Sequence, residues 1–144
     1  LLVSAARLDH IKRKILPTLL SGKHVICDRF DASTYAYQIF GNDGLHLKDW
    51  FWGKRKEYME AHPDIYFYFD ISPSAGLNRA RVRNNSGSKQ ENYFDTRGLE
   101  YHNKVHAGYR EFLSAVPHEI IDADRSPESV RADFLTRLAA QFQS

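Results

Sequence analysis

At 144 residues, 42% hydrophobic and 26% charged, the chain carries enough apolar side chains for one real core, which makes a single domain the expectation. Its net charge of +2, with no long lysine or arginine stripe, argues against duplex nucleic acid as a partner. No apolar run reaches the ~20 residues that span a bilayer, and no signal peptide is legible; the single cysteine, Cys27, excludes an internal disulfide and favours a reducing, cytoplasmic setting.

Residues 1 to 20 place Leu8, Ile11, Ile15 and Leu19 three and four apart, the pattern of an amphipathic helix that ends near Ser21-Gly22. Lys23 to Asp28 then reads as a short buried strand, with Cys27 as a small core residue. Asp31 or Ser33 is placed to cap the next helix, which carries Tyr35 and Tyr37 until Gly41-Asn42-Asp43-Gly44 breaks it. From Leu45 to Ala61 a helical stretch rich in aromatics holds Trp50, Phe51, Trp52 and Tyr58, a composition that suits core or a subunit contact better than a ligand box.

Ile65 to Ile71 reads as a second strand, apolar along nearly its whole length and so buried on both faces. Ser72-Pro73 starts a helix, with serine as cap and proline in the first turn, where its missing amide costs nothing. That helix runs through Arg79, Arg81 and Arg83 into the polar, turn-prone Asn84 to Gln90, which reads as a flap fringed by cations. Tyr101, Val105, Tyr109, Phe112 and Leu113 mark another helix, His118 to Ala123 a third strand, and Ser126-Pro127-Glu128 a last helix striped by Val130, Phe134, Leu135 and Leu138. Strands alternating with helices of this length imply crossover connections and an α/β fold, a parallel sheet with helices on both faces.

Chemistry is densest where the first strand ends, at Asp28-Arg29. In open parallel sheets ligands bind outside the carboxyl ends of the strands. A carboxylate there can hold magnesium directly or through water, and a guanidinium can grip a phosphate with its planar fork of donors. The competing reading is a buried ion pair that ties strand to helix. The histidines are scattered, and His102 and His106, four apart on one helix, lack a third ligand, so no zinc site is expected; no Gly-x-Ser-x-Gly elbow occurs.

With these residues laid out, the sequence resembles the thymidylate kinases, P-loop nucleoside monophosphate kinases that pass the γ-phosphoryl of ATP to dTMP. The resemblance rests on Leu1 to Arg7, on Val25 to Phe30 with Ser33 to Gln38, on Pro63-Asp64 with Gly76 to Ala80, and on Tyr101-His102, Val105, Gly108-Tyr109, Ile121 to Ala123 and Ser126 to Glu128. It implies a three-layer α/β/α P-loop sheet, one domain over 1–144 with a lid at about 83–93. It further implies that Arg29 holds the dTMP phosphate, Asp28 assists a magnesium site, Arg7 bonds the thymine edge, Ser33 or Thr34 and Gln38 line the base pocket, and Tyr37 lies beneath the deoxyribose. Arg83 and Lys89 would cover ATP, Arg83 among the catalytic groups with Asp28 and Arg29, and the loop Ala123-Asp124-Arg125 would pass near adenine. A homodimer is also implied.

Three departures stand beside these matches. No Gly-x-x-x-x-Gly-Lys-[Ser/Thr] loop, the backbone cradle for ATP phosphates, occurs in these residues. The chain opens on Leu1 without methionine, and the expected order puts the missing strand, loop and helix upstream in a parent protein, at the centre of the sheet between the strands ending at Asp28 and Asp70. Val3 stands at the family's thymine-stacking phenylalanine, Ala6 at its aspartate, and Asn92-Tyr93 at the lid's Asp-Arg pair. The rivals left open are a non-catalytic remnant that binds nucleotide or oligomerises, and a related kinase with another acceptor.

Overall fold

The computed structural model describes residues 2–58, 61–85 and 97–142, with side chains at all of them except 57, 58 and 83–85. The chain opens with α1 (Leu2–His10), a π-helical turn (Ile11–Ile15) and α2 (Leu16–Leu20), which follow one another without a break. Ile11 and Ile15 are its buried positions, as the apolar spacing requires, whereas Leu19 is exposed. The wider turn lies just before Pro17, whose missing amide cannot bond to the preceding turn. Gly22, at φ 75°, ends the helix in the left-handed region, and the Lys23 amide reaches back to the Thr18 carbonyl at 3.3 Å.

The next apolar run does not become the expected strand. Residues 23–27 adopt no regular structure, Ile26 is 74% exposed, and Cys27 is exposed rather than part of the core. A strand needs a neighbour to take its amides and carbonyls, and among the described residues β1 (Tyr66–Asp70) pairs only with β2 (His118–Asp122).

α3 (Asp31–Thr34) passes into a second π-helical stretch (Tyr35–Gly41), followed by a 3₁₀ turn (Leu45–Leu47) and α4 (Lys48–Tyr58). β1 and β2 run parallel in register from Tyr66 opposite His118 to Asp70 opposite Asp122. The crossover between them holds α5 (Pro73–Asn85) and α6 (Leu99–Leu113), and α7 (Pro127–Ala140) follows β2. Both expected Ser-Pro starts are present: the Ala75 amide bonds Ser72 Oγ and the Ser129 amide bonds Ser126 Oγ, each at 3.3 Å.

Side chains alternate along β1. Tyr66 and Tyr68 pack toward α6, against Phe112 and Tyr109, while Phe67 and Phe69 meet Phe134 of α7 with ring centroids 5.2 and 5.5 Å apart. The sheet thus has a helix on each face, although its cover is incomplete, since Phe69 stays 44% exposed. The largest core cluster joins Ala32, Tyr35, Ile39, Phe51, Phe112 and Leu113, so the aromatic α4 contributes to the core through Phe51 and Trp52 while Trp50 remains exposed.

Candidate active site

The site is built where α1, residues 28–37 and α6 meet. Arg29 adopts φ 60°, a left-handed conformation that a non-glycine residue holds at a cost of about 1 kcal/mol or more. Its guanidinium carbon lies 5.6 Å from the Tyr37 ring centroid, so the cation rests over an aromatic face. Burial alone would lower the Arg29 pKa, but Tyr37, Tyr109 and Asp28 more than offset this and the net shift is upward. Asp28 is exposed and has no hydrogen bond to a described residue.

Arg7 approaches from α1. Its Nη2 donates to the Phe30 carbonyl at 3.2 Å and to Thr34 Oγ1 at 2.5 Å, and its guanidinium lies over the Phe30 ring at 5.4 Å. Half-burial pulls its pKa down against the field of Asp31. Ser33 Oγ is 2.9 Å from Tyr109 Oη, and the Tyr37 and Tyr109 rings meet edge to face, 6.1 Å apart at 88°. Arg7, from a distant part of the sequence, is thus brought against Thr34, while Arg29, Tyr37 and Ser33 are linked through Tyr37 and Tyr109.

Gln38 is exposed and, one helical step on, opens to a different place. With Leu2, Val3, Thr34, Trp50 and Phe51 it lines an apolar groove of about 520 Å³ that neither Arg29 nor Tyr37 borders. Thr34 touches both regions. Arg83 lies on α5 with its side chain outside the described residues, and Lys89 is outside them altogether.

The loop Ala123-Asp124-Arg125 leaves the carboxyl end of β2. Arg79 of α5 holds it by donating to the Ala123 carbonyl at 2.8 Å, to Asp124 Oδ1 at 3.0 Å and to the Arg125 carbonyl at 3.5 Å. The Arg125 guanidinium is itself bound to Asp133 at 2.7 Å and to the Asp122 carbonyl at 3.0 Å, so it serves the loop rather than pointing freely outward.

Two features escaped the sequence reading. At the carboxyl end of β1, Asp70 is held by His106 Nε2 at 2.8 Å and by Arg110 Nη1 at 3.0 Å, both from α6. Its place at a strand end was the one available signal, the same signal that drew attention to Asp28. Asp31 is not a helix cap either: the cap position is Phe30, and Asp31 is a buried carboxylate, bound to Arg55 Nε at 2.7 Å and Tyr66 Oη at 2.7 Å.

Among the described residues no three His, Cys, Asp or Glu side chains are grouped to enclose a metal. Asp28 fits a different kind of site, since magnesium is commonly held by one or two carboxylates with the remaining positions filled by substrate phosphates and water.

Comparison with known proteins gives this arrangement its context. The family model for thymidylate kinase matches residues 1–134. The chain belongs to the thymidylate kinase family. It is 39% identical over 139 residues to a thymidylate kinase of Roseiflexus, an alignment covering 90% of this chain and 61% of that protein. The thymidylate kinase of Oceanobacillus iheyensis is 33% identical over 135 residues, 92% of this chain and 58% of its own length. That of Rickettsia africae is 38% identical over 122 residues, 82% and 55% respectively. The chain thus spans about three fifths of the length of the thymidylate kinases it matches. Its parallel β1–β2 pair with helices on both faces agrees with the P-loop α/β fold of that family. No helix among the described residues is long and apolar enough to cross a membrane.

Proposed function

We propose that the protein carrying this chain transfers the γ-phosphoryl group of ATP to dTMP, giving dTDP for nucleotide synthesis, with residues 1–144 forming one kinase domain and its lid at about 83–93. The observation that carries this reading is Arg29, held in a strained backbone conformation with its guanidinium over Tyr37 and beside the exposed Asp28. Phosphoryl transfer asks a protein for in-line positioning and for neutralisation of spreading negative charge, more than for a covalent nucleophile. Arg29 supplies a fixed cation for the acceptor phosphate. Tyr37 supplies a flat floor for the sugar, and its bulk disfavours a 2′-hydroxyl.

Arg7 and Thr34, already bonded to each other, present a guanidinium and a hydroxyl to the base, with Ser33 beside them. Gln38 reaches the base only from the neighbouring groove. Arg83 and Lys89 cover ATP from the lid, and Ala123-Asp124-Arg125, braced by Arg79, borders adenine. Asp28 would hold magnesium, which when bound neutralises phosphate charge. We place the protein in the cytoplasm as a homodimer, with Leu45, Leu47 and Trp50 as exposed apolar contacts, and assign it no nucleic-acid or membrane partner.

The test is dTMP affinity by calorimetry in the wild type and Arg29→Ala. A lost phosphate contact to a charged donor, worth about 1.5–3 kcal/mol, should weaken dTMP about 10- to 100-fold, while deoxythymidine, which has no phosphate, should bind both proteins alike. Equal dTMP affinity in the two proteins would refute the assignment.

A further inference from the structure

Tyr109 sits on the apolar stripe of α6, and a phenylalanine there would pack as well against Tyr68, whose ring stacks on it at 5.4 Å and 29°. Its hydroxyl therefore calls for a separate reason. It lies 2.9 Å from Ser33 Oγ, while the ring meets, edge to face, the Tyr37 ring that carries the Arg29 guanidinium. Gly108 brings it there: a Cβ at that position would stand 2.8 Å from Phe40 and 2.9 Å from Ala36, so only glycine lets α6 approach the 35–41 helix this closely. The three partners of Tyr109 thus come from two elements, Tyr68 from β1 and Ser33 and Tyr37 from the 31–41 helix, and Tyr37 in turn carries Arg29.

Building on the acceptor reading above, we infer that Tyr109 is a positioning residue of the monophosphate site: its hydroxyl fixes the Ser33 side chain and its ring fixes the Tyr37 ring on which Arg29 rests. Burial, the largest influence, raises the pKa of the phenol, and the hydroxyl shares its hydrogen bond with Ser33. Rigid placement of this kind shows in how well substrate binds and how it is oriented, because disordered side chains must otherwise be immobilised at each binding event.

Steady-state kinetics in the protein carrying this chain separates the outcomes. Tyr109→Phe, which removes one oxygen and preserves the packing, should raise the KM for dTMP about three- to tenfold, the scale of one net hydrogen bond, lower the melting temperature by only a few degrees, and leave the KM for ATP unchanged. Ser33→Ala should do at least as much, and the double variant should be no weaker than Ser33→Ala alone, because both remove the same bond. Arg29→Ala is the control for the underlying reading. If it leaves the KM for dTMP unchanged, the acceptor assignment falls and this inference with it. If Arg29→Ala weakens dTMP but Tyr109→Phe does not, or if the Tyr109→Phe and Ser33→Ala losses add in full, the inference alone is overturned.

Discussion

The carboxylate of Asp31 is sealed from solvent at 1% exposure, and its oxygens are satisfied by Arg55 Nε, Tyr66 Oη and the Ala32 amide. The Arg55 side chain is only 14% exposed and lies over the rings of Trp52 and Phe112, so this is an ion pair inside the aromatic core. Burial first, and then the Asp31 charge, pushes the Tyr66 phenol upward and keeps it a donor. Breaking a buried pair from one side strands a charge, which costs about 3–5 kcal/mol. Arg55→Met should lose that much in urea denaturation, and adding Asp31→Asn should restore a large part of it; a single variant as stable as wild type would show that water reaches Asp31. The residue reads as a helix cap in the sequence because a local motif places it at a helix start. Its true partners lie 24 and 35 positions away, and no local pattern encodes them.

Between elements, the most extensive contact is that of α6 with the 35–41 helix, and two glycines permit it. A Cβ on Gly41 would fall 2.8 Å from the Tyr101 ring, and one on Gly108 would fall 2.8 Å from Phe40. Gly→Ala inside a helix ordinarily gains about 1 kcal/mol, but forcing a methyl into a filled contact costs about 1–3 kcal/mol. At Gly108 the clash wins, since two of the nearest atoms are a Cβ and a backbone Cα that cannot swing aside, and Gly108→Ala should destabilise the fold. Gly53, in the exposed face of α4, has nothing within 4 Å of its virtual Cβ, so Gly53→Ala should stabilise by about 0.5–1 kcal/mol. Thermal denaturation of the two variants, shifted in opposite directions, checks both; a Gly108→Ala protein that melts above wild type would refute the close packing. Helices were legible here because their apolar period and their Ser-Pro starts are local. The run ending at Asp28 was misread because becoming a strand depends on a neighbour, and hydrophobicity alone does not say whether one is present.

For the molecule as a whole, the sequence order of strands and helices led to the parallel pair and its covering helices, and the short motif around Asp28 led to the cluster at Arg29. What stayed hidden was what α6 adds to the site, because Tyr109, His106 and Arg110 are spaced like any helix face, and only the packing of α6 on β1 and on the 31–41 helix brings them to Ser33 and Asp70. On the proposed reading, the reaction is the phosphoryl transfer of the thymidylate kinases, and Arg29, Tyr37 and Arg7 are the groups that would receive the acceptor nucleotide. A crystal structure of the protein with dTMP bound measures this most directly. The account predicts the nucleotide's phosphate within hydrogen-bonding distance of the Arg29 guanidinium and its sugar against the Tyr37 ring, and a phosphate bound away from Arg29 would contradict it.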